Sequence, residues 1–194
     1  MIINMNGQSP PRKSYVQSLS LNGISLLEYF IIIGGGALAA FLHAKLRIPL
    51  NLPGHHGLEF MAIYVFIRLS SDIRYAATTA TLGTGLILLI PGFGASSALH
   101  SITYLLPGLV LDALFIIFQG RRQLFLITVI IAGLAYMSIP LSRFFLQSFT
   151  VFTSMAFIKF GALYTLLSFM LFGMLGGMLG YGLHAIKSIY KQKN

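Results

Sequence analysis

Hydrophobic positions in this chain fall into long, nearly unbroken runs. They follow neither the alternation of a half-buried strand nor the single stripe of a surface helix. Crossing a bilayer takes about 20 apolar residues in a helix, fewer where the helix is short. The pattern predicts six spans: Leu26–Leu46, Leu58–Leu69, Ile73–Ile90, Leu99–Phe118, Gln123–Leu141 and Phe160–Ile186. Pro49, Pro53-Gly54, Pro91-Gly92, Gly120 and Pro140 mark the breaks. The second span is the weakest, with few apolar residues ahead of Arg68, which suits a short or tilted helix. The expected fold is an all-α integral membrane protein built as a six-transmembrane-helix bundle. A polar segment over 1–24 precedes the membrane domain over 25–187, and a basic tail occupies 188–194. Met1–Asn22, with its Pro10-Pro11-Arg12-Lys13 stretch, reads as disordered or surface-lying.

Composition agrees with the pattern. Of 194 residues, 56% are hydrophobic and 9% charged, against roughly 25% charged in a soluble domain. The start of the chain is polar and the first apolar run is too long for a signal peptide, so no cleavable leader is expected. No cysteine is present, which excludes disulfide and thiol chemistry. The net charge of +9 would point to nucleic acid in a soluble protein. Here the basic residues flank the spans, and no nucleic-acid partner is expected. With the N-terminus inside, nine basic residues face the cytoplasm and four (Lys45, Arg47, Arg143, Lys159) face outward. That balance predicts both termini in the cytoplasm of a bacterial inner membrane. It leaves outer loops at Arg47–Gly57, Pro91–Ala98 and Ser142–Lys159.

Only four acidic residues occur: Glu28, Glu59, Asp72 and Asp112. Glu28 opens the first span, where a helix N-terminus favours a carboxylate. Asp72 lies between Arg68 and Arg74 in a short inner loop and reads as part of a solvated ion pair. Asp112 sits inside the fourth span, where an ionisable group is costly and faces a partner or a cavity. Its expected partners are Arg68 or Arg74, with a functional role as the alternative.

Polar atoms are densest in Asn51-Leu-Pro-Gly-His-His-Gly-Leu-Glu59. His55 and His56 can share a small outer pocket with Glu59, and with His100 at the top of span four. The same residues also fit a Pro-Gly turn whose histidines cap span two. The pair His-His-x-x-Glu offers nitrogen and oxygen ligands, but neighbouring side chains rarely converge on one ion, and no metal site is assigned. His43 and His184, each alone near a helix end, read as packing or dipole partners. Small residues recur four apart at Gly36, Ala40 and Ala44, and at Ala76 and Ala80. Gly173/Gly177 and Gly176/Gly180 do the same in span six. Such stripes let helix backbones approach closely in lipid. Span six reads as internal packing, while spans one and three suit either packing or partner docking. No phosphate-binding loop, nucleophile elbow or carboxylate pair at one depth occurs. Neither an enzyme nor a bound cofactor is expected.

Six spans in under 200 residues with both termini inside resemble the substrate-binding S components of energy-coupling factor (ECF) type ABC transporters. Several features run in the same order: the stripe in span one, the Pro-rich Ile48-Pro-Leu-Asn-Leu-Pro-Gly54 loop, and a small-residue third span. Tyr104-Leu-Leu-Pro-Gly-Leu-Val-Leu-Asp112 in span four completes the likeness, which covers residues 25 to 186. It implies capture of a small solute, a vitamin or cofactor precursor, for uptake with a membrane coupling subunit and two cytoplasmic ATPases. Transport in that family proceeds by toppling of the S component. The likeness puts Asn51, His55, His56, Glu59, His100 and Lys159 at the substrate site. Partner docking would fall on Gly36, Ala40 and Ala44, with Ala76 and Ala80. Cobalt and nickel members of the family open on Met-His, whereas this chain opens Met-Ile-Ile-Asn, which argues against a metal substrate. The alternatives are a cobalt or nickel S component and a non-transport scaffold of the MreD type.

Overall fold

The computed structural model describes residues 20–21, 24–45, 52–90, 102–118, 124–149 and 159–193. After a short antiparallel pairing of Ser20–Leu21 (β1) with Ile24–Ser25 (β2), six helices follow among the described residues. They are α1 (Leu26–Lys45), α2 (Gly57–Ser70), α3 (Ala76–Leu88), α4 (Leu106–Ile117), α5 (Phe125–Phe149) and α6 (Ala162–Lys193). Each runs antiparallel to the one before it. Ser71, after α2, donates to Glu28 Oε1 at the start of α1 (2.6 Å), and Ser70 bonds His184 late in α6 (3.2 Å). The start of α1 and the end of α6 therefore share one end of the bundle.

Three helices, Leu26–Lys45, Phe125–Leu146 and Ala162–Tyr190, are long and apolar enough to cross a membrane. Their outer faces carry large apolar side chains; Phe30 and Leu163 are each 71% exposed. Together these suggest a membrane protein, because a soluble monomer rarely exposes so continuous an apolar surface. Helices α2, α3 and α4 are shorter, at 14, 13 and 12 residues. At 1.5 Å per residue they reach roughly 18–21 Å, against about 30 Å of hydrocarbon.

Helix boundaries differ from the sequence expectation for physical reasons. Helix α4 begins at Leu106, not Leu99, because Pro107 occupies a first-turn position where its missing N–H costs nothing. Helix α5 continues through Pro140 to Phe149, so residues 142–149 are helical where an outer loop was expected. The polar start of the chain, apart from β1 and β2, lies outside the described residues.

The centre is α2, half of whose residues are buried, packed against α1, α3, α5 and α6. Around it the helices meet through their smallest residues. A Cβ at Gly36 of α1 would collide with the Ala80 carbonyl of α3, and one at Gly83 of α3 with the Ile33 carbonyl of α1. Thr84 donates to the Gly36 carbonyl (2.7 Å). Its single proton is thereby used, so Tyr64 of α2 is the donor in the 2.8 Å Tyr64–Thr84 bond. Ala40, Ala76 and Ala80 are fully buried, Gly36 is buried and Ala44 half-buried. Of the two readings for these stripes, packing is seen at Gly36, Ala80 and Gly83, which form the α1–α3 seam where small side chains permit backbone contact. Span six behaves as expected: Gly176 and Gly180 lie on α2, Gly173 and Gly177 on α5.

Asp112 of α4 resolves into a structural role. Its carboxylate accepts from the Thr78 N–H and Thr78 hydroxyl (2.7 Å each) and from the Ala77 N–H (3.4 Å). Arg68 Nε approaches to 2.9 Å, with its guanidinium 5.4 Å from the Phe115 ring. Arg68 is thus turned inward, away from the expected surface pairing with Asp72, which is exposed. The carboxylate caps α3 from a neighbouring helix and neutralises α2 at once. Asp112→Ala should cost about 3–5 kcal/mol by leaving a buried cation and open amides, read as a lowered melting temperature in detergent. Adding Arg68→Met should restore part of that loss.

Candidate functional site

At the opposite end of the bundle the Pro53-Gly54-His55-His56 turn leads into α2. Gly54 adopts φ +81°, which glycine alone takes without strain, and packs against Phe169. The Pro53 carbonyl accepts from Ser168 of α6 (2.6 Å), and Gly57 donates to the Gly54 carbonyl (2.8 Å). A Cβ at Gly57 would strike the Tyr136 ring of α5. The two glycines and Pro53 thereby fix the direction in which His56 and Glu59 leave the chain.

His56 precedes the first residue of α2 and Glu59 follows three later, so both lie on one face of its first turn. That face meets the last turn of α1, which supplies His43. Ligand atoms of His43, His56 and Glu59 all lie within 4.8 Å of one another. The His43 and His56 rings meet edge to face with centroids 4.0 Å apart, and the His55 and His56 rings are 3.7 Å apart. Phe60 and Tyr104 complete the wall, 5.2 and 6.4 Å from the His43 ring. From α5, Arg143 reaches Thr103 (3.5 Å) and lies 5.7 Å from the Tyr104 ring.

Several polar atoms of this group lack partners among the described residues. Among the described residues, both Glu59 oxygens, His43 Nδ1, His56 Nδ1 and Arg143 Nε are buried with no hydrogen-bond partner, and Glu59 is 8% exposed. Burial, followed by the nearby His43 and His55 rings, pushes the His56 imidazole down to about 3, so it is neutral at physiological pH. His55 differs: its Nδ1 lies 2.7 Å from the Leu52 carbonyl, to which it donates as the N–H tautomer, closing the turn. A neutral imidazole and an unpaired carboxylate facing one point are electron-pair donors awaiting an acceptor.

Among the residues expected at the site, the structure brings His55, His56 and Glu59 together. Lys159 is exposed and directs its ammonium to the Phe160 ring at 5.2 Å. Asn51 and His100 lie outside the described residues. Sequence reasoning missed His43, Tyr104 and Arg143. For His43 the available signal was its place one turn from the end of α1 on the Ala39–Ala40 buried side. For Arg143 it was helical continuity past Pro140. No known protein family, curated protein or solved structure matches the chain.

An unpaired buried carboxylate opposes folding. Glu59→Gln should therefore raise the stability of the ligand-free protein by about 1–3 kcal/mol, measured as a higher melting temperature in detergent. A fall instead would assign Glu59 a structural partner.

Proposed function

We propose that the protein is a membrane capture subunit that binds a small solute at the His43–His56–Glu59 end of the bundle for uptake. The observation that supports this reading is the group of buried donors and acceptors that find no partner there among the described residues. Inside an apolar bundle an unpaired carboxylate costs several kcal/mol, and a purely architectural helix end would have satisfied it, as Asp112 is satisfied at the other end. A scaffold of the MreD type leaves Glu59 without a purpose. Basic residues are denser in the segments around the Arg68 end, which supports an outward-facing site under the positive-inside rule. The chain carries no nucleotide-binding motif. Energy for release on the inner side then comes from partners, a coupling subunit with two ATPases, as in the ECF type. The α1–α3 stripes are used internally, so docking falls to the outward apolar faces.

The test is recovery of the solute. Protein purified into lipid nanodiscs and then denatured should release one solute, organic or inorganic, at near-equimolar yield, identified by mass spectrometry and elemental analysis. The same preparation of Glu59→Gln should release at least tenfold less, since loss of a buried charged contact costs about 2–5 kcal/mol. A wild-type protein that releases nothing and binds no offered solute counts against capture.

A further inference from the structure

The geometry points to a divalent first-row transition-metal ion as the ligand of this site, held by His43, His56 and Glu59. The role of that ion as cargo rests on the capture reading, but its binding does not. Three ligand atoms, from the last turn of α1, the residue before α2 and the first turn of α2, already lie within 4.8 Å of one another. A tetrahedral ion with bonds of about 2.0–2.1 Å holds its ligands roughly 3.3 Å apart. Small side-chain rotations close that difference, and the backbones stay put.

Three features of the group favour a cation over an organic solute. Among the described residues the donors are unoccupied: both Glu59 oxygens and one nitrogen of each imidazole are buried with no hydrogen-bond partner. They converge on one point rather than lining an elongated cleft, and two aromatic rings, Phe60 and Tyr104, wall it. Their net charge is negative, since two imidazoles and one carboxylate offer a single anionic centre to a dication. Arg143, the cation that approaches from α5, is turned to Thr103 and the Tyr104 ring. Among the described residues no ion pair joins it to Glu59.

The donor set also selects the metal class. Two imidazoles with one carboxylate suit zinc, nickel or cobalt, whereas calcium and magnesium demand shells built from oxygen. With three protein ligands, a fourth position stays open, which an ion needs in order to enter and leave. The Met-Ile-Ile-Asn opening of the chain bears on ligands supplied from the N-terminus and leaves this site untouched.

The experiment uses the untagged full-length protein in nanodiscs, stripped with a chelator and then titrated with Co2+, Ni2+ or Zn2+ in equilibrium dialysis. One ion per chain is expected, and cobalt should develop the visible absorption of nitrogen–oxygen coordination at low symmetry. Glu59→Gln should weaken binding about tenfold or more, while His184→Asn, at the far end of the bundle, should leave it unchanged. Because the cobalt spectrum is read on the wild type, a variant that misfolds does not remove the test. Absence of stoichiometric binding overturns the metal site. So does equal affinity in the wild type and a folded Glu59→Gln, which would place the ion elsewhere. An organic solute recovered from a protein that binds no metal overturns it as well, while capture stands. Stoichiometric metal lost in Glu59→Gln, in a protein whose deletion leaves cellular metal content unchanged, upholds the site and removes the uptake role.

Discussion

The carboxylate of Asp112 binds three helices at one point, and the arrangement of the bundle follows from it. In a medium without water a helix N-terminus must find acceptors within the protein. Helix α3 finds its acceptor on α4, whose Asp112 takes the Ala77 and Thr78 amides. The same carboxylate needs a cation, which α2 supplies as Arg68. Satisfying all three fixes the depth of α4 against α3 and the rotation of α2 about its axis. That rotation sets which α2 residues face inward one helix length away, where Glu59 begins the helix. The fully paired end therefore orients the unpaired one.

Helix positions were legible in the sequence because they coincide with apolar runs of the kind a membrane-crossing helix requires. The first two helices match expectation within a residue or so. Others moved where local chemistry competes with hydropathy. Pro107 delays α4, since proline fits a first turn, while Pro140 is absorbed within α5. The second span looked weakest for a reason hydropathy does not reveal. All its residues are buried or half-buried within the bundle, so it can carry Glu59 and Arg68 where a helix with an exposed apolar face carries leucine. The small-residue stripes were read correctly as contact surfaces. Their partner, another helix of the same chain or another protein, is not encoded in spacing.

The site was half legible. Clustering of His55, His56 and Glu59 within five positions drew attention to the turn, and Gly54 announced its sharpness. His43 carried no such neighbourhood in sequence. It reaches the group only because α1 and α2 run antiparallel, bringing the end of one against the start of the other. The two adjacent histidines also separate in role. His55 completes the turn against the Leu52 carbonyl, and His56 faces the interior. Adjacency alone gives no means of telling which does which.

The seam between α1 and α3 has a consequence for how such a protein can change over time. At Gly36 and Gly83 the contact is backbone against backbone, and any added side chain meets a carbonyl. A joint without side chains offers nothing for gradual substitution to tune, so α1 carries His43 on a mount of fixed position. Adaptation to a different ligand must then come through the turn before α2, or through Tyr104 and Arg143, whose side chains can lengthen, shorten or change charge without disturbing that joint. Inheritance would thus keep one jaw of the site constant while selection works on the other.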